Sequence, residues 1–128
     1  MLSVLIVIGA KCSNDDELMK LRIKNNSSQT LYESCSTNYP DTSLNKILSP
    51  ACNPQIHKIE ANTFQKEHYN SPTEDIFDYN DTLIVFLFNA QILESNPWDS
   101  VVKNYMILKR YDLSLQDLQD MDWTITYP

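Results

Sequence analysis

Glycine is almost absent: Gly9 is the only one in 128 residues, where average usage of about 7% would give roughly nine. It falls in an apolar N-terminal stretch, so everything beyond Cys12 is glycine-free. Phosphate-cradling loops, dinucleotide-binding turns and nucleophile elbows use glycine where a Cβ would block backbone approach or a positive φ. Those nucleotide and hydrolase signatures are missing here. Left-handed turn positions then fall to Asn and Asp, which tolerate them best after glycine. The twelve asparagines, with pairs such as Asn25-Asn26 and Asn80-Asp81, fit that substitution.

Basic charge is scarce as well. All 17 acidic residues follow Cys12, against nine of the ten Lys and Arg, leaving a net −8 beyond the cysteine. Nucleic-acid binding needs clustered Lys and Arg, and no such cluster exists, so no nucleic-acid partner is expected. Attraction to anionic lipid through charge is equally disfavoured. Histidine is limited to His57 and His68, and cysteine to Cys12, Cys35 and Cys52. No internal repeat or low-complexity segment is visible. The length suits one domain with a modest core.

The apolar run Leu2–Ala10 is too short to span a bilayer, which takes about 20 residues, and instead matches the core of an export signal. Gly9 and Ala10 are small, Lys11 and Cys12 follow, and Ser13-Asn14-Asp15-Asp16-Glu17 is polar with nothing to bury. That order resembles a bacterial lipoprotein leader, in which the cysteine heads the mature chain and carries the acyl groups. Lys11 stands where that pattern prefers a small residue, and Met1-Leu2-Ser3 lacks a basic side chain. The alternative is that Leu2–Ala10 forms a buried first strand. The expected division is a signal segment over 1–12 ending at lipidated Cys12, an acidic tether over 13–18, and one β-rich domain over 19–128.

Within that domain, Met19, Leu21 and Ile23 alternate with Lys20, Arg22 and Lys24, the period of a half-buried strand. Asn25-Asn26-Ser27-Ser28 reads as a turn and Thr30–Ser36 as the returning strand, together an opening hairpin. Residues 38–54 contain three prolines and read as a long loop. Ile56–Ala61 alternates weakly. Ser71-Pro72-Thr73-Glu74 starts a short helix, with proline at N1 and a carboxylate at N3. Leu83–Phe88 is six apolar residues between turn signals, which predicts a central strand covered on both faces.

Asn96-Pro97-Trp98-Asp99 starts a helix running to about Lys103, and Tyr105–Tyr111 reads as the next strand. Ser114 can cap a helix with Asp117 at N3 and Leu113 stapled onto Leu118. Trp123–Tyr127 resumes β-type alternation. Five or six strands with two or three short inserted helices predict a mainly β fold, a β-sandwich of immunoglobulin-like character.

Two stretches share a likeness: Asn38-Tyr39-Pro40-Asp41-Thr42-Ser43-Leu44, and the C-terminal run from Ile107 through Lys109-Arg110-Tyr111-Asp112-Leu113 to Trp123-Thr124-Ile125-Thr126-Tyr127-Pro128. They resemble a group of small uncharacterised lipoproteins from gut Bacteroidetes. The likeness extends over most of the chain, including Asp81-Thr82-Leu83-Ile84 and Trp98. It implies a cell-envelope location, lipid-anchored at the outer membrane, and a domain that is not an enzyme. The acidic residues after Cys12 also resemble the surface-export signal of Bacteroidetes lipoproteins. Asp81-Thr82-Leu83 and Asp99-Ser100-Val101 resemble the O-glycosylation pattern of that phylum.

Candidate chemistry is thin. Cys35 and Cys52 flank the proline-rich loop, and in an exported protein a disulfide between them would constrain the unfolded chain by about 3 kcal/mol. Two unlinked thiols are the alternative. A zinc site would add His57 and His68, but Cys-x16-Cys-x4-His-x10-His lacks the tight paired spacing of such sites. No metal or cofactor is therefore expected. Cys52 and His57 could on paper pair as nucleophile and base, but neither helix nor strand spacing enforces their approach. Asp75, Asp78, Asn80 and Asp81 read as a solvated turn before a calcium loop. Trp123 and Tyr111 read as core, whereas Trp98, in the first turn of a surface helix, is a candidate ligand-contact aromatic. The reading is a structural or interaction module anchored to the membrane by lipid, its partner an envelope protein or a glycan. Its rival is a carbohydrate-binding accessory lipoprotein.

Overall fold

The computed structural model describes residues 21–64, 77 and 80–128. Cys12, the tether, the helix start at Ser71-Pro72-Thr73-Glu74 and His68 lie outside the described residues. The described strands are β1 (Arg22–Asn25), β2 (Leu31–Ser36), β3 (Lys58–Ile59), β4 (Leu83–Asn89), β5 (Lys109–Leu113) and β6 (Thr124–Tyr127). The α-helices are α1 (Pro54–His57), α2 (Ala90–Ser95), α3 (Trp98–Asn104) and α4 (Leu115–Asp120), and 3-10 turns cover Leu44–Lys46 and Pro50–Cys52. Among the described residues no helix is long and apolar enough to cross a membrane.

Four strands form an antiparallel sheet in the order β3-β2-β4-β5. β4 lies inside it, and Leu83–Phe88 are each at most 1% exposed, so the six-residue apolar run is a strand covered on both faces. On one face Leu31, Leu83, Val85, Leu87 and Leu113 pack with Leu21, Ile23, Leu118 and Ile125. On the other Tyr32, Ile84, Phe86 and Phe88 pack with Leu44, Ala90, Leu93 and Val101. Strand alternation thus sends one set of side chains to each layer.

The expected opening hairpin is not formed. β1 pairs in parallel with β6, Ile23 opposite Ile125, while β2 pairs antiparallel with β3 and β4. The cause sits in the turn. Buried Asn25 accepts from the Ser27 backbone N–H (2.9 Å) and hydroxyl (2.6 Å), and donates through Nδ2 to the Gln29 (2.7 Å) and Glu60 (3.2 Å) carbonyls. It ties the chain to β3's far end, so β2 leaves in another layer instead of folding back on β1. The fold is mixed α/β, a correction to the mainly β expectation: α2 and α3 cover one face of the sheet, and on the other the parallel pair β1–β6 packs together with Leu118 of α4.

Helices α2 and α4 carry side-chain caps, whereas α1 and α3 start without one. Ser114 Oγ accepts from the Asp117 N–H (3.0 Å) and Asp117 Oδ2 accepts from the Ser114 N–H (3.0 Å), a complete capping box on α4. Pro97 precedes α3 as its N-cap. Helix α2, unforeseen, begins directly at the end of β4, where Asn89 Oδ1 accepts from the Ile92 N–H (3.0 Å). The strand expected from Tyr105 begins only at Lys109, because Tyr105 terminates α3 in a left-handed conformation (φ 52°). Among the described residues the other positive φ values are at Asn62, Asp122 and Trp123, so Asn and Asp fill two of these four, and Asn25-Asn26 and Asn80-Asp81 none. An aromatic residue there costs about 1–2 kcal/mol. Tyr105 offsets this with contacts: its ring meets Phe86 edge-on at 6.4 Å, and its hydroxyl donates to the Thr42 carbonyl (2.8 Å).

Candidate functional site

Three features with chemical character survive once the core is accounted for. The first is a carboxylate inside the sheet. Glu33, on β2, is fully buried on the face that otherwise holds Leu31 and Leu87. Its Oε2 lies 3.2 Å from His57 Nδ1, and the Cys35 thiol donates to its Oε1 at 3.8 Å. The register explains the meeting: β3 begins at Lys58 opposite Tyr32, so His57, ending α1, falls beside Glu33. A buried carboxylate stays ionised only when paired and hydrogen-bonded. The Glu33 hydrogen bond and charge hold the His57 imidazolium above its usual 6.5, against the opposing effect of burial.

Cys35 is half-buried, Cys52 is exposed on the second 3-10 turn, and both are thiols here. Cys52 and His57 are not brought together as nucleophile and base. His57 directs Nδ1 to Glu33, and the thiol close to that carboxylate belongs to Cys35. Among the described residues no group of three or more His, Cys, Asp or Glu side chains could hold a metal ion. Of the acidic turn, Asp75 and Asp78 lie outside the described residues. Asn80 Nδ2 donates to the Tyr39 carbonyl, while Asn80 Oδ1 and Asp81 accept from Thr82.

The second feature surrounds Trp98. It stands in the first turn of α3, half-buried, with its ring edge-on to Phe88 at 6.0 Å. One side of the indole is therefore core packing. The remainder borders an open hollow of about 420 Å³ shared with Asn45, Asp99, Val102 and Lys103. Trp123 and Tyr111 instead pack against the apolar cluster under β1 and β6.

The third feature had no sequence signal. Where β2 begins and β4 ends, a hollow of about 410 Å³ is lined by Gln29, Thr30, Lys58, Glu60, Gln91 and Glu94 among others. The hydroxyl of buried Tyr32 donates to Glu94 Oε2 (2.7 Å), and Lys58 Nζ lies 3.2 Å from the same oxygen. Glu94 is held below the usual carboxylate range by the Tyr32 hydrogen bond first and by Lys58 second. The Tyr32 phenol is pushed up to about 12 by burial first and by Glu94 second. Thr30 donates to Glu60 Oε1 (3.2 Å), and Asn89 Nδ2 donates to Gln29 Oε1 (2.8 Å). These residues come from three strands, the segments flanking them and a helix, so only chain folding assembles them.

Compared with protein-family models, curated proteins and solved structures, the chain matches none.

Proposed function

We propose that this chain is a lipid-anchored cell-envelope domain acting as an interaction module. The observation that carries the reading is how the structure spends its polar chemistry. Buried Glu33 engages His57 through one carboxylate oxygen and Cys35 through the other, while both described hollows are open surface features with polar side chains in their lining. Such surfaces suit recognition of a partner or glycan better than turnover of an enclosed substrate. The anchor rests on the sequence order of apolar run, Cys12 and acidic tether, and the outer-membrane location, periplasmic or surface-exposed, on the likeness to Bacteroidetes lipoproteins. An immunoglobulin-like arrangement, with β1 and β6 as the second sheet's remnant, belongs to the same proposal.

A palmitate analogue fed to cells should label the full chain and not Cys12→Ala. Equal labelling of both, or none in either, defeats the anchor. A second reading, a carbohydrate-binding accessory lipoprotein, is favoured by the Trp98 hollow, where an aromatic ring lies beside Asn45, Asp99 and Lys103.

A further inference from the structure

We infer that the hollow between the start of β2 and the end of β4 binds a hydroxyl-rich ligand of one or two sugar rings. This site is distinct from the Trp98 hollow, and the proposal stands whether or not Cys12 is lipidated. It starts from an inventory of hydrogen-bonding groups. Glu94 spends Oε2 on Tyr32 and Lys58, and Glu60 spends Oε1 on Thr30, which leaves Glu94 Oε1 and Glu60 Oε2 as acceptors. Gln29 accepts from Asn89 through Oε1, which leaves its amide N–H groups as donors beside the Lys58 ammonium.

Acceptors and donors are thus interleaved around about 410 Å³, within the range of small-ligand sites. A hydroxyl both donates and accepts, so adjacent ring hydroxyls can satisfy carboxylates and amide or ammonium donors together. Other ligand classes fit less well. An anion would face two carboxylates against one ammonium, and an apolar group would leave every polar atom in the hollow unpaired. A simple amine would engage Glu60 and Glu94 but nothing of Gln29 or Lys58.

Glu94 and Lys58 are also positioned before a ligand arrives. Tyr32 is 2% exposed and anchors Glu94 from beneath, and Lys58 Nζ lies 5.8 Å from the centre of the Tyr32 ring. Groups held in place by the core lose little further freedom on binding.

The test is a ¹⁵N–¹H NMR titration of the full chain with glucose, galactose, N-acetylglucosamine, lactose and cellobiose, with putrescine and inorganic phosphate in parallel. At least one sugar should shift the Gln29, Lys58 and Gln91 amide signals. Glu60→Ala, exposed and so expected to keep the wild-type urea midpoint, should weaken that response about tenfold. Trp98→Ala should leave it in place. No response to any sugar overturns the proposal, as does a response to putrescine or phosphate alone. Sugar binding that Trp98→Ala abolishes and Glu60→Ala spares overturns it too, while upholding the Trp98 reading.

Discussion

The two faces of the four-stranded sheet are covered by different kinds of chain. The face carrying Tyr32, Ile84, Phe86 and Phe88 is closed largely by α2 and α3, which follow β4 directly in sequence. The face carrying Leu31, Val85 and Leu87 is closed chiefly by β1 and β6, about a hundred residues apart and paired in parallel, with Leu118 of α4 beside them. The first layer is aromatic and local, with Phe86 and Phe88 at 6.4 Å and Trp98 beside Phe88. The second is aliphatic, non-local, and contains the buried Glu33. A layer assembled from adjacent elements can rely on packing alone. A layer assembled from distant strands needs tethers such as Asn25, which fix where the chain crosses over.

The largest expected effect tests the local layer. Phe86 is fully buried, so Phe86→Ala should lower unfolding free energy by about 3–5 kcal/mol in urea titrations. A loss below about 1 kcal/mol would mean that the helices do not close that face tightly.

Next comes the polar inclusion in the non-local layer. Removing the imidazole leaves Glu33 buried without it, and water reaches the 22% exposed His57 side chain. His57→Ala should therefore cost about 2 kcal/mol near pH 6, less than the roughly 3–5 kcal/mol of a wholly buried pair. The pH dependence has a definite sign. The folded His57 pKa is raised above 6.5, so its contribution is fully present below pH 6.5 and lost as pH rises through the folded value. The wild-type urea midpoint should fall over that window relative to His57→Ala, and parallel pH profiles would remove the ion pair from the account.

The smallest effect sharpens the comparison at α4, whose Leu118 enters the aliphatic layer. Ser114→Ala removes half of the capping box and should cost about 1 kcal/mol, read as a lower thermal midpoint with unchanged far-UV circular dichroism. No loss would show that packing of Leu118 holds this helix without its cap.

Local signals were readable where a residue's neighbours in sequence are also its neighbours in space. Ser114 and Asp117 are three positions apart, and their reciprocal bonds form as expected. Leu83–Phe88 announced a covered strand because its apolar content needs no partner to be recognised. Helix α2 was hidden because Asn89 read as a turn residue closing the strand, whereas it is the N-cap from which the helix starts at once. Trp98 was legible as a helix-start aromatic, but its edge-on contact with Phe88 was not. The hollow containing Lys58, Glu60 and Glu94 left no trace, since its residues are too widely spaced for any motif.

Composition and short-range pattern alone carried the expectations against glycine-dependent phosphate loops and charge-driven nucleic-acid binding, and they placed the core strand and the capping box. Those properties depend on which atoms are present or on bonds spanning three or four residues. Tertiary structure decided the rest: the parallel pairing of β1 with β6, the helical cover that makes the fold mixed α/β, the Glu33–His57 pair, and the polar hollow. Each joins residues tens of positions apart, whose approach is set by burial of the whole core and by side-chain tethers such as Asn25. No local preference encodes that approach.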